Sequence, residues 1–393
     1  MSSIDDELTG IRGIRKRPAM YVGDTSTRGL HQMAFEVFDE SLEELLNGFG
    51  TRMVVRLHSD GSLEVSDDGR SVPLHPLPEF DGKSRFEILF TRYEIGKNYR
   101  GPRHWRVGAG GLFGVGLVPT NALSEWLTAE TGDSSVTTQV RFEQGQRVGK
   151  LTQTPSAFHG LQVHFKFDDS IFKDSCFCQR RLVTRLIELT ALNPGIKVHF
   201  TDEVATESAM IEFNDGVSDL VRLMNRGLTP AYNDVLTVSH SSPDFRLDVA
   251  LQHVEESRSC TIPFVNTIVT LEGGTHWIGF RAGLTKAVQH ALSDESNIAV
   301  DGRTLLRGLT AVVSIWVDDP MFEGPTKTKF AQSAVRGTVE SLVYRELKRL
   351  FESNKEIPRA IWRRSQQSDE CNEPFGLETS GWSLADYTNW ALR

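Results

Sequence analysis

The clearest periodic pattern in the chain lies near its N-terminus. Apolar side chains recur at helical spacing and predict an amphipathic helix over about Leu30–Leu46, with one face on a core. Glu36, Glu40 and Glu43 follow one another at positions i, i+4 and i+7 and fall on the opposite face. A solvated acidic face is the commoner meaning of such a pattern. A carboxylate that faces a cleft instead could orient or deprotonate a water molecule.

Alternating apolar and polar residues predict a hairpin directly after this helix, with strands at Met53–Leu57 and Ser62–Gly69 around a Ser-Asp-Gly turn. Further along, the pattern predicts a helix start at 119–123, strands within 136–142, 161–167 and 196–200, helices over 180–192 and 217–225, strands within 245–253 and 262–274, a helix over 275–292, a strand over 309–319 and a helix over 332–353. These elements show no internal repeat. They predict two α+β domains followed by a polar tail from Lys355.

Composition restricts the class of protein. The chain has 393 residues, enough for two cores, and a formal net charge of −9, which argues against broad, non-specific attraction to nucleic acid. It contains no run of roughly 20 apolar residues that could span a bilayer and no apolar signal-peptide core. Cys176, Cys178, Cys260 and Cys371 lack the paired C-x-x-C spacing of a zinc site. We therefore expect a cytoplasmic protein with free thiols and no membrane partner.

Two glycine-containing segments carry candidate binding chemistry. In the segment VSDDGRSVP at 65–73, the Asp67 carboxylate can accept the exocyclic amine of adenine, and Gly69 lets a flat base approach the backbone. Read alone, Asp-Asp-Gly is a turn signal. The segment GAGGLFGVG at 108–116 precedes a predicted helix and offers backbone N–H groups to phosphate oxygens, although a flexible loop explains it equally well. It has neither Walker A nor Rossmann spacing.

The order and spacing of these segments, with three others, resemble the ATPase region of the DNA gyrase B subunit and its relatives in the GHKL ATPase superfamily. The matching stretches are IRKRPAMYVGDTSTRGLHQMAFEVFDE, VSDDGRSVP, GGLFGVG followed by NALS, FVNTIVTLEGGTHWIGFRAGLT, and GLTAVVSIWVDDPMFEGPTKTKF. The resemblance covers nearly the whole chain. It implies an α+β protein with a shortened N-terminal arm at 1–12, a Bergerat-type GHKL α/β sandwich over 13–205, a transducer domain of ribosomal-protein-S5-like α/β fold over 206–354, and a tail at 355–393.

The resemblance also implies ATP and Mg²⁺ as ligands and a role for each matching residue. Glu36 matches the general base that activates water, and Lys327 matches the transducer lysine that reaches the γ-phosphate. Glu40 occupies the position of the Mg²⁺ ligand. The residues that match the nucleotide pocket are Asp67, Gly69, Arg70 with its ion-pair partner Glu44, Pro73, Gly110, Gly111, Leu112, Gly114, Val115, Gly116 and Leu161.

The chain departs from the family pattern inside this pocket. Glu40 stands where the family has Asn, and a carboxylate there is a good Mg²⁺ ligand that adds negative charge beside a triphosphate. The other substitutions are Ser71 for Gly, Phe113 for His, Leu161 for Thr and Pro325 for Gln. Lys97 and Arg106 could still meet phosphate oxygens. The sequence therefore predicts ATP binding but leaves open whether the bound ATP is hydrolysed.

Three functions are compatible with these residues. The first is an ATP-hydrolysing, nucleotide-gated homodimeric clamp in a DNA-related process, working beside a partner protein that supplies nuclease or topoisomerase activity, since the sequence shows no acidic strand-cleavage motif. The second is a nucleotide-sensing regulator, or pseudo-ATPase, with little turnover. The third is a mimic of the gyrase B subunit that modulates a host topoisomerase. The presence of both Glu36 and Lys327 favours the first.

Duplex DNA is a candidate partner because of a basic run near the end of the predicted transducer, which in relatives lines a cavity for DNA. The run consists of Arg345, Lys348, Arg349, Lys355, Arg359, Arg363 and Arg364. Glu346, Glu352 and Glu356 are interspersed with it, so a solvated, charge-balanced helix face is an equally good interpretation.

Overall fold

The computed structural model describes residues 10–80, 82–92, 116–295, 300–324, 326–367 and 382–391. Contacts within the chain divide it into two compact units. The first unit contains the residues up to Glu212 together with the segment that begins at Trp382. The second unit begins at Phe213. Both units combine a β-sheet with helices, which confirms the predicted α+β class. The predicted domain limits stay predictions. No helix among the described residues is long and apolar enough to cross a membrane.

The first unit is built on an eight-stranded sheet in the order β5-β4-β3-β6-β2-β1-β7-β8. Its strands are β1 Arg52–Leu57, β2 Leu63–Asp67, β3 Ser124–Asp133, β4 Val136–Glu143, β5 Gln146–Pro155, β6 His159–Phe167, β7 Lys197–Asp202 and β8 Glu207–Ile211. Its helices are α1 Ile11–Lys16, α2 Ala19–Val22, α3 Thr27–Leu46, α4 Arg85–Ile88, α5 Leu117–Ala122, α6 Gln179–Leu192 and α11 Leu384–Ala391. Burial alternates along β1, β2 and β6, so this part of the sheet has one covered face and one open face.

Helix α3 is the amphipathic helix that the apolar pattern predicts. It begins after Ser26, whose hydroxyl accepts a hydrogen bond from the Arg28 N–H at 3.2 Å and so caps the first turn. The apolar residues at helical spacing are buried: Leu30, Met33, Val37, Phe38 and Leu42. Burial of each such side chain contributes roughly 1.5–3 kcal/mol. Packing on the covered face of the sheet therefore fixes the orientation of this helix and of the acidic residues it carries.

The second unit has a five-stranded sheet in the order β12-β11-β13-β10-β9. Its strands are β9 Leu236–Ser241, β10 Phe245–His253, β11 Cys260–Val265, β12 Ile268–Val269 and β13 Leu309–Val317. Its helices are α7 Val217–Met224, α8 Thr275–Ala291, α9 Ser333–Ser353 and α10 Glu356–Ser365. Strand β13 is buried at every position, which explains why it reads as a continuous apolar run and not as an alternation.

Helices α8 and α9 pack closely because glycines lie at their contact. A Cβ atom on Gly279 would fall 2.5 Å from the carbonyl oxygen of Arg336, and one on Gly283 would fall 2.8 Å from that of Glu340. Any larger residue at either position would push the two helices apart.

Helix α10 was not evident from the sequence, which reads as polar from Lys355 onward. The helix buries Ile357 and Ile361 on one side and presents charged residues on the other. Arg364 is also buried, and its guanidinium donates to the carbonyl oxygens of Val254 at 2.9 Å and Glu256 at 2.8 Å. Those bonds satisfy a charged group that would otherwise be costly to bury.

Candidate functional site

A small cavity lies on the covered side of the first unit, between α3, the end of β2, α4 and β6. Its lining residues are Glu40, Glu44, Asp67, Arg70, Ser71, Val72, Pro73, Arg85, Leu89 and Leu161. The fold thus brings together five of the residues proposed as ligands from the sequence, which are Glu40, Asp67, Arg70, Pro73 and Leu161. They come from separate segments of the chain, so their meeting depends on strand pairing.

Asp67 is the polar centre of the cavity wall. It ends β2 and is only 5% exposed. Its Oδ1 accepts hydrogen bonds from the N–H of Gly69 at 2.9 Å and of Leu161 at 3.4 Å. Its Oδ2 is buried and has no hydrogen-bond partner among the described residues. Burial raises the pKa of Asp67 to about 6, against the opposing effects of the Gly69 N–H, the nearby Ser41 hydroxyl and the Leu161 N–H.

The unpartnered Oδ2 matters because buried polar atoms are normally hydrogen-bonded. An ionised carboxylate only accepts hydrogen bonds, so the missing group at Asp67 is a donor. The cavity in front of it provides space for that donor on a ligand.

Glycine is required beside Asp67. A Cβ atom on Gly69 would fall 2.8 Å from Asp67 Oδ1 and 2.9 Å from Glu44 Cβ, so no side chain fits there without displacing the carboxylate. The role proposed for Gly69 from the sequence was to let a base approach the backbone. The structure adds that its small size keeps Asp67 close to α3.

Arg70 and Glu44 tie the loop after β2 to α3. Two parallel hydrogen bonds of 2.8 Å join Arg70 Nε to Glu44 Oε2 and Arg70 Nη2 to Glu44 Oε1. The guanidinium also lies over the Phe49 ring, 3.5 Å from the ring centroid. A bidentate pair of this geometry fixes direction as well as distance. It holds one wall of the cavity in place.

Glu36 does not lie on a solvated acidic face, which was the commoner interpretation of the sequence pattern. It is 4% exposed, and its Oε1 accepts a hydrogen bond from Gln32 Nε2 at 3.1 Å. The buried side of α3 therefore extends beyond its apolar stripe and includes Glu36.

Glu40 lies one turn after Glu36 and is half-buried at the cavity wall. Burial raises its pKa to about 8, and the negative charges of Glu43, Glu44 and Asp67 act in the same direction. Arg85 opposes them. At neutral pH the free protein therefore favours the protonated form of Glu40, so this side chain adds less negative charge than its type suggests.

Arg85 and Leu89 line the cavity but were not proposed from the sequence. A local signal was present, since Ser84 and Glu87 form a capping box at the start of α4. Ser84 Oγ accepts from the Glu87 N–H at 3.4 Å, and Glu87 Oε2 accepts from the Ser84 N–H at 2.8 Å. The capping box marks where a helix begins but not which cavity the helix faces.

Other predicted site residues cannot be placed in this cavity. Gly116 precedes α5 with φ 62°. Lys327 belongs to the second unit, where it has φ 54°, the left-handed region. The remaining members of the predicted phosphate loop and its neighbours lie outside the described residues: Lys97, Arg106, Gly110, Gly111, Leu112, Phe113, Gly114 and Val115, together with Pro325 of the predicted transducer.

The basic run of the second unit is largely engaged in ion pairs. Arg345 Nε lies 3.1 Å from Glu346 Oε1, and Arg359 Nε lies 2.8 Å from Glu295 Oε1. Further pairs join Lys348 to Glu352, Arg349 to Glu346 and Arg363 to Glu356. These contacts correspond to the charge-balanced interpretation of the run. DNA contact stays a prediction.

Comparison with known proteins agrees with this architecture. The family model described as DNA gyrase B matches residues 216–373. Over 367 residues the chain is 36% identical to the DNA gyrase B subunit of Haloferax volcanii, and the match covers 90% of this chain and 57% of the relative. Over 360 residues it is 36% identical to the B subunit of the type 2 topoisomerase of Aquifex aeolicus, covering 90% and 45%. The chain spans about half the length of these curated relatives.

Solved structures give the same result. The 43K ATPase domain of Thermus thermophilus gyrase B, crystallised with an aminocoumarin, superposes with a TM-score of 0.77 at 29% identity, covering 92% of this chain and 95% of that one. The B subunit of Myxococcus xanthus DNA gyrase shares the fold with a TM-score of 0.71 at 24% identity, covering 90% and 99%. The fold is therefore that of a GHKL ATPase domain followed by a transducer domain. The chain is a homologue of the ATPase region of the DNA gyrase B subunit.

Proposed function

We propose that this chain binds ATP in the cavity beside α3. The observation that carries the proposal is the buried, unpartnered Oδ2 of Asp67, whose Oδ1 is already held by Gly69 and Leu161. The exocyclic amine of adenine is a donor of the right kind for that oxygen. Pro73 and Leu161 offer apolar surface to a flat base. Similarity to a gyrase B ATPase domain supports the same ligand.

Bound ATP is hydrolysed, in this proposal, with Glu36 as the general base. Glu36, Glu40 and Glu44 follow one another at four-residue steps along α3, and the last two line the cavity. The burial of Glu36 would shield an attacking water molecule from bulk solvent. Lys327, through its match to the family lysine, is assigned the stabilisation of negative charge on the γ-phosphate.

Glu40 is the residue that would hold Mg²⁺. Burial is the main cause of its raised pKa, and neighbouring negative charges add to it. A cation would relieve that negative charge, so the surroundings of Glu40 fit a hard divalent ion with oxygen ligands. Mg²⁺, when bound, neutralises charge on the phosphates. Glu40 must release its proton to act as a ligand, so metal affinity rises with pH in this proposal.

We further propose that nucleotide binding brings two copies of the chain together as a clamp that acts in a DNA-related process beside a partner protein. The support is the similarity to the B subunits of DNA gyrase and of a type 2 topoisomerase. Because the chain matches about half of those proteins, their complete activity is not assumed for it.

Calorimetry with ATP and with a non-hydrolysable analogue, each with and without Mg²⁺, tests the binding proposal. We expect one nucleotide per chain, and size-exclusion chromatography should show a dimer with the analogue. Absence of nucleotide binding would refute the proposal as a whole.

The catalytic assignment is tested separately by Glu36→Ala. This variant should bind ATP and lose steady turnover. Glu125→Ala is the control, since Glu125 is an exposed glutamate on β3 of the same unit and should leave turnover intact. Turnover that survives Glu36→Ala would exclude Glu36 as the base.

The second candidate function is a nucleotide sensor with little turnover. The feature that favours it is the position of Glu40 at the cavity wall, where burial raises its pKa to about 8 and so weakens it as a metal ligand at neutral pH. Glu40→Asn would then raise turnover sharply without a matching change in ATP affinity. Rapid hydrolysis by the unchanged protein would exclude this alternative.

A further inference from the structure

A cluster of two histidines and a glutamate lies on the open face of the first unit's sheet. Glu64 of β2 and His164 of β6 are direct partners across the two strands. His58 follows the last residue of β1, and its N–H donates to the Ser62 carbonyl at 2.9 Å to close the hairpin. Side chains alternate along β2, so Glu64 points away from the face that carries Asp67. The cluster is therefore separated from the nucleotide cavity by the thickness of the sheet.

The three side chains direct one atom each towards a common point. His58 Nε2 lies 3.7 Å from Glu64 Oε2, and His164 Nδ1 lies 3.9 Å from the same oxygen. All three ligand atoms fall within 4.8 Å of one another. These separations are too long for hydrogen bonds. The two distances to Glu64 exceed by about 0.5 Å the spacing of roughly 3.3 Å between ligands that surround a tetrahedral ion at Zn–N distances of 2.0–2.1 Å, so small side-chain movements would close the site around an ion.

The outer nitrogen of His164 is hydrogen-bonded and that of His58 faces a carboxylate, which favours protons on both outer nitrogens. Ser62 Oγ donates its single proton to Asp60 Oδ1 at 2.6 Å, so it accepts from His164 Nε2 at 2.9 Å. On the other ring, His58 Nδ1 lies 3.2 Å from the carboxylate of Glu203. With protons on these outer nitrogens, the inner nitrogens of His58 and His164 carry lone pairs.

Three acceptors thus converge without a donor between them. His58 Nε2 is buried and has no hydrogen-bond partner within the described part of the chain. Lone pairs that face a carboxylate oxygen repel it, so the arrangement is stabilised by a positive charge at its centre, supplied by a metal ion or by a proton. Arg56 does not fill that place, because its guanidinium approaches the other oxygen, Glu64 Oε1, at 3.7 Å.

We propose that His58, Glu64 and His164 form a binding site for Zn²⁺, with a fourth position open to solvent. Two imidazoles and one carboxylate are a ligand set that suits Zn²⁺, whereas Mg²⁺ and Ca²⁺ require oxygen ligands. Glu203 and Ser62 act as the outer partners that orient metal-binding histidines. The ligand side chains remain 17–27% exposed, so an ion can reach them. This site does not depend on the proposed ATPase function.

Titration of the chelator-stripped full chain with Zn²⁺ tests the proposal. We expect one tightly bound ion per chain, and affinity at least about 100-fold lower in His164→Gln and in Glu64→Gln. Glu203→Gln and Ser62→Ala should each lower affinity by about 10-fold, as loss of an outer partner does. His199→Gln is the matched control, because His199 lies on the same face, on β7, bonded to Ser208 at 2.9 Å.

Co²⁺ spectra distinguish this site from the thiols. Cys176 is exposed and Cys178 partly so, and either could bind metal ions. The proposed site predicts ligand-field bands without a thiolate charge-transfer band, lost in His164→Gln and retained in a Cys176→Ser/Cys178→Ser variant. Circular dichroism should show each variant folded. A thiolate spectrum would overturn the proposal, as would full Zn²⁺ affinity in folded His164→Gln and Glu64→Gln. It would also be overturned if His58 and His164 bound protons but no Zn²⁺.

Discussion

The backbone of Gly160 lies directly against that of Asp67. A Cβ atom on Gly160 would fall 2.1 Å from the Asp67 carbonyl oxygen and 3.1 Å from its Oδ1. Gly160 also has φ 113°, in the region that only glycine adopts at low cost. This contact brings β6 under the end of β2 and holds the Asp67 carboxylate at the cavity wall.

Gly160→Ala should therefore destabilise the protein by about 2 kcal/mol or more, because it combines backbone strain with a clash against backbone atoms. Thermal or urea unfolding measures the loss. Gly149→Ala is the matched control, since Gly149 has φ 74° but nothing within 4 Å of an added Cβ. It should show the cost of strain alone. Equal losses in the two variants would mean that the contact with Asp67 contributes nothing.

Asp67→Asn should weaken ATP binding by roughly 10- to 100-fold, since a charge-assisted hydrogen bond contributes about 1.5–3 kcal/mol. Asp68→Asn is the control. Asp68 is exposed, and its Oδ1 accepts from the N–H groups of Thr51 and Arg52 at 2.8 Å each, so it should leave affinity unchanged. Calorimetry compares the two variants with the parent chain.

The pH dependence of binding follows from the same carboxyl group. The pKa of Asp67 is about 6, and only the ionised form accepts the base amine without a competing proton. In the absence of Mg²⁺, ATP affinity should be full above pH 7 and fall as the pH drops through 6. Affinity that is constant between pH 7 and pH 5 would contradict the role of Asp67.

His253 makes the second unit sensitive to acid. Burial lowers its pKa to about 4, and the nearby positive charge of Arg364 acts in the same direction. Its ring bonds the Tyr232 hydroxyl at 3.0 Å and the Leu305 carbonyl at 2.9 Å. Because folding lowers the pKa of His253, the unfolded chain binds a proton at this residue below pH 6.5, while the folded chain does so only near pH 4. The contribution of neutral His253 to the free energy of unfolding is therefore complete above pH 6.5 and is lost as the pH falls through 4.

The expected loss from His253 is about 3 kcal/mol between pH 6.5 and pH 4, from the shift of its pKa. Calorimetric unfolding scans across this pH range should show this loss. His253→Asn should reduce the slope of the free energy of unfolding against pH. His276, whose pKa burial lowers to about 3, adds its own loss, which also begins below pH 6.5 and continues to pH 3. If His253→Asn leaves the slope of the free energy of unfolding against pH unchanged, other groups cause the acid sensitivity.

Tyr387 fastens α11 to the edge of the first unit. Its hydroxyl donates to the Glu212 carbonyl and accepts from the Glu212 N–H, both at 2.9 Å, and the residue is 2% exposed. Tyr387→Phe should destabilise the first unit by about 1–3 kcal/mol, because it leaves backbone groups without their partner. Asn389→Ala, at an exposed position of the same helix, should have little effect on the unfolding temperature.

The sequence alone determined the elements whose pattern is local. Helical spacing located α3, alternation and a turn located the β1–β2 hairpin, and an unbroken apolar run located β13. The Asp67 and glycine segments also identified the candidate ligand chemistry. Strand β5 escaped detection because it is exposed at nearly every position, so it shows no alternation.

Tertiary structure decided which side chains meet. Glu36 is buried although it lies off the apolar stripe of α3. Arg85 reaches the cavity because its helix α4 is tied to the segment after β2, where the Phe86 N–H donates to the Pro73 carbonyl at 3.4 Å. His58, Glu64 and His164 converge only through the pairing of β6 with β2. Periodicity along a chain reports which face of an element is apolar. Contacts between elements depend on strand order and register, which no local pattern records.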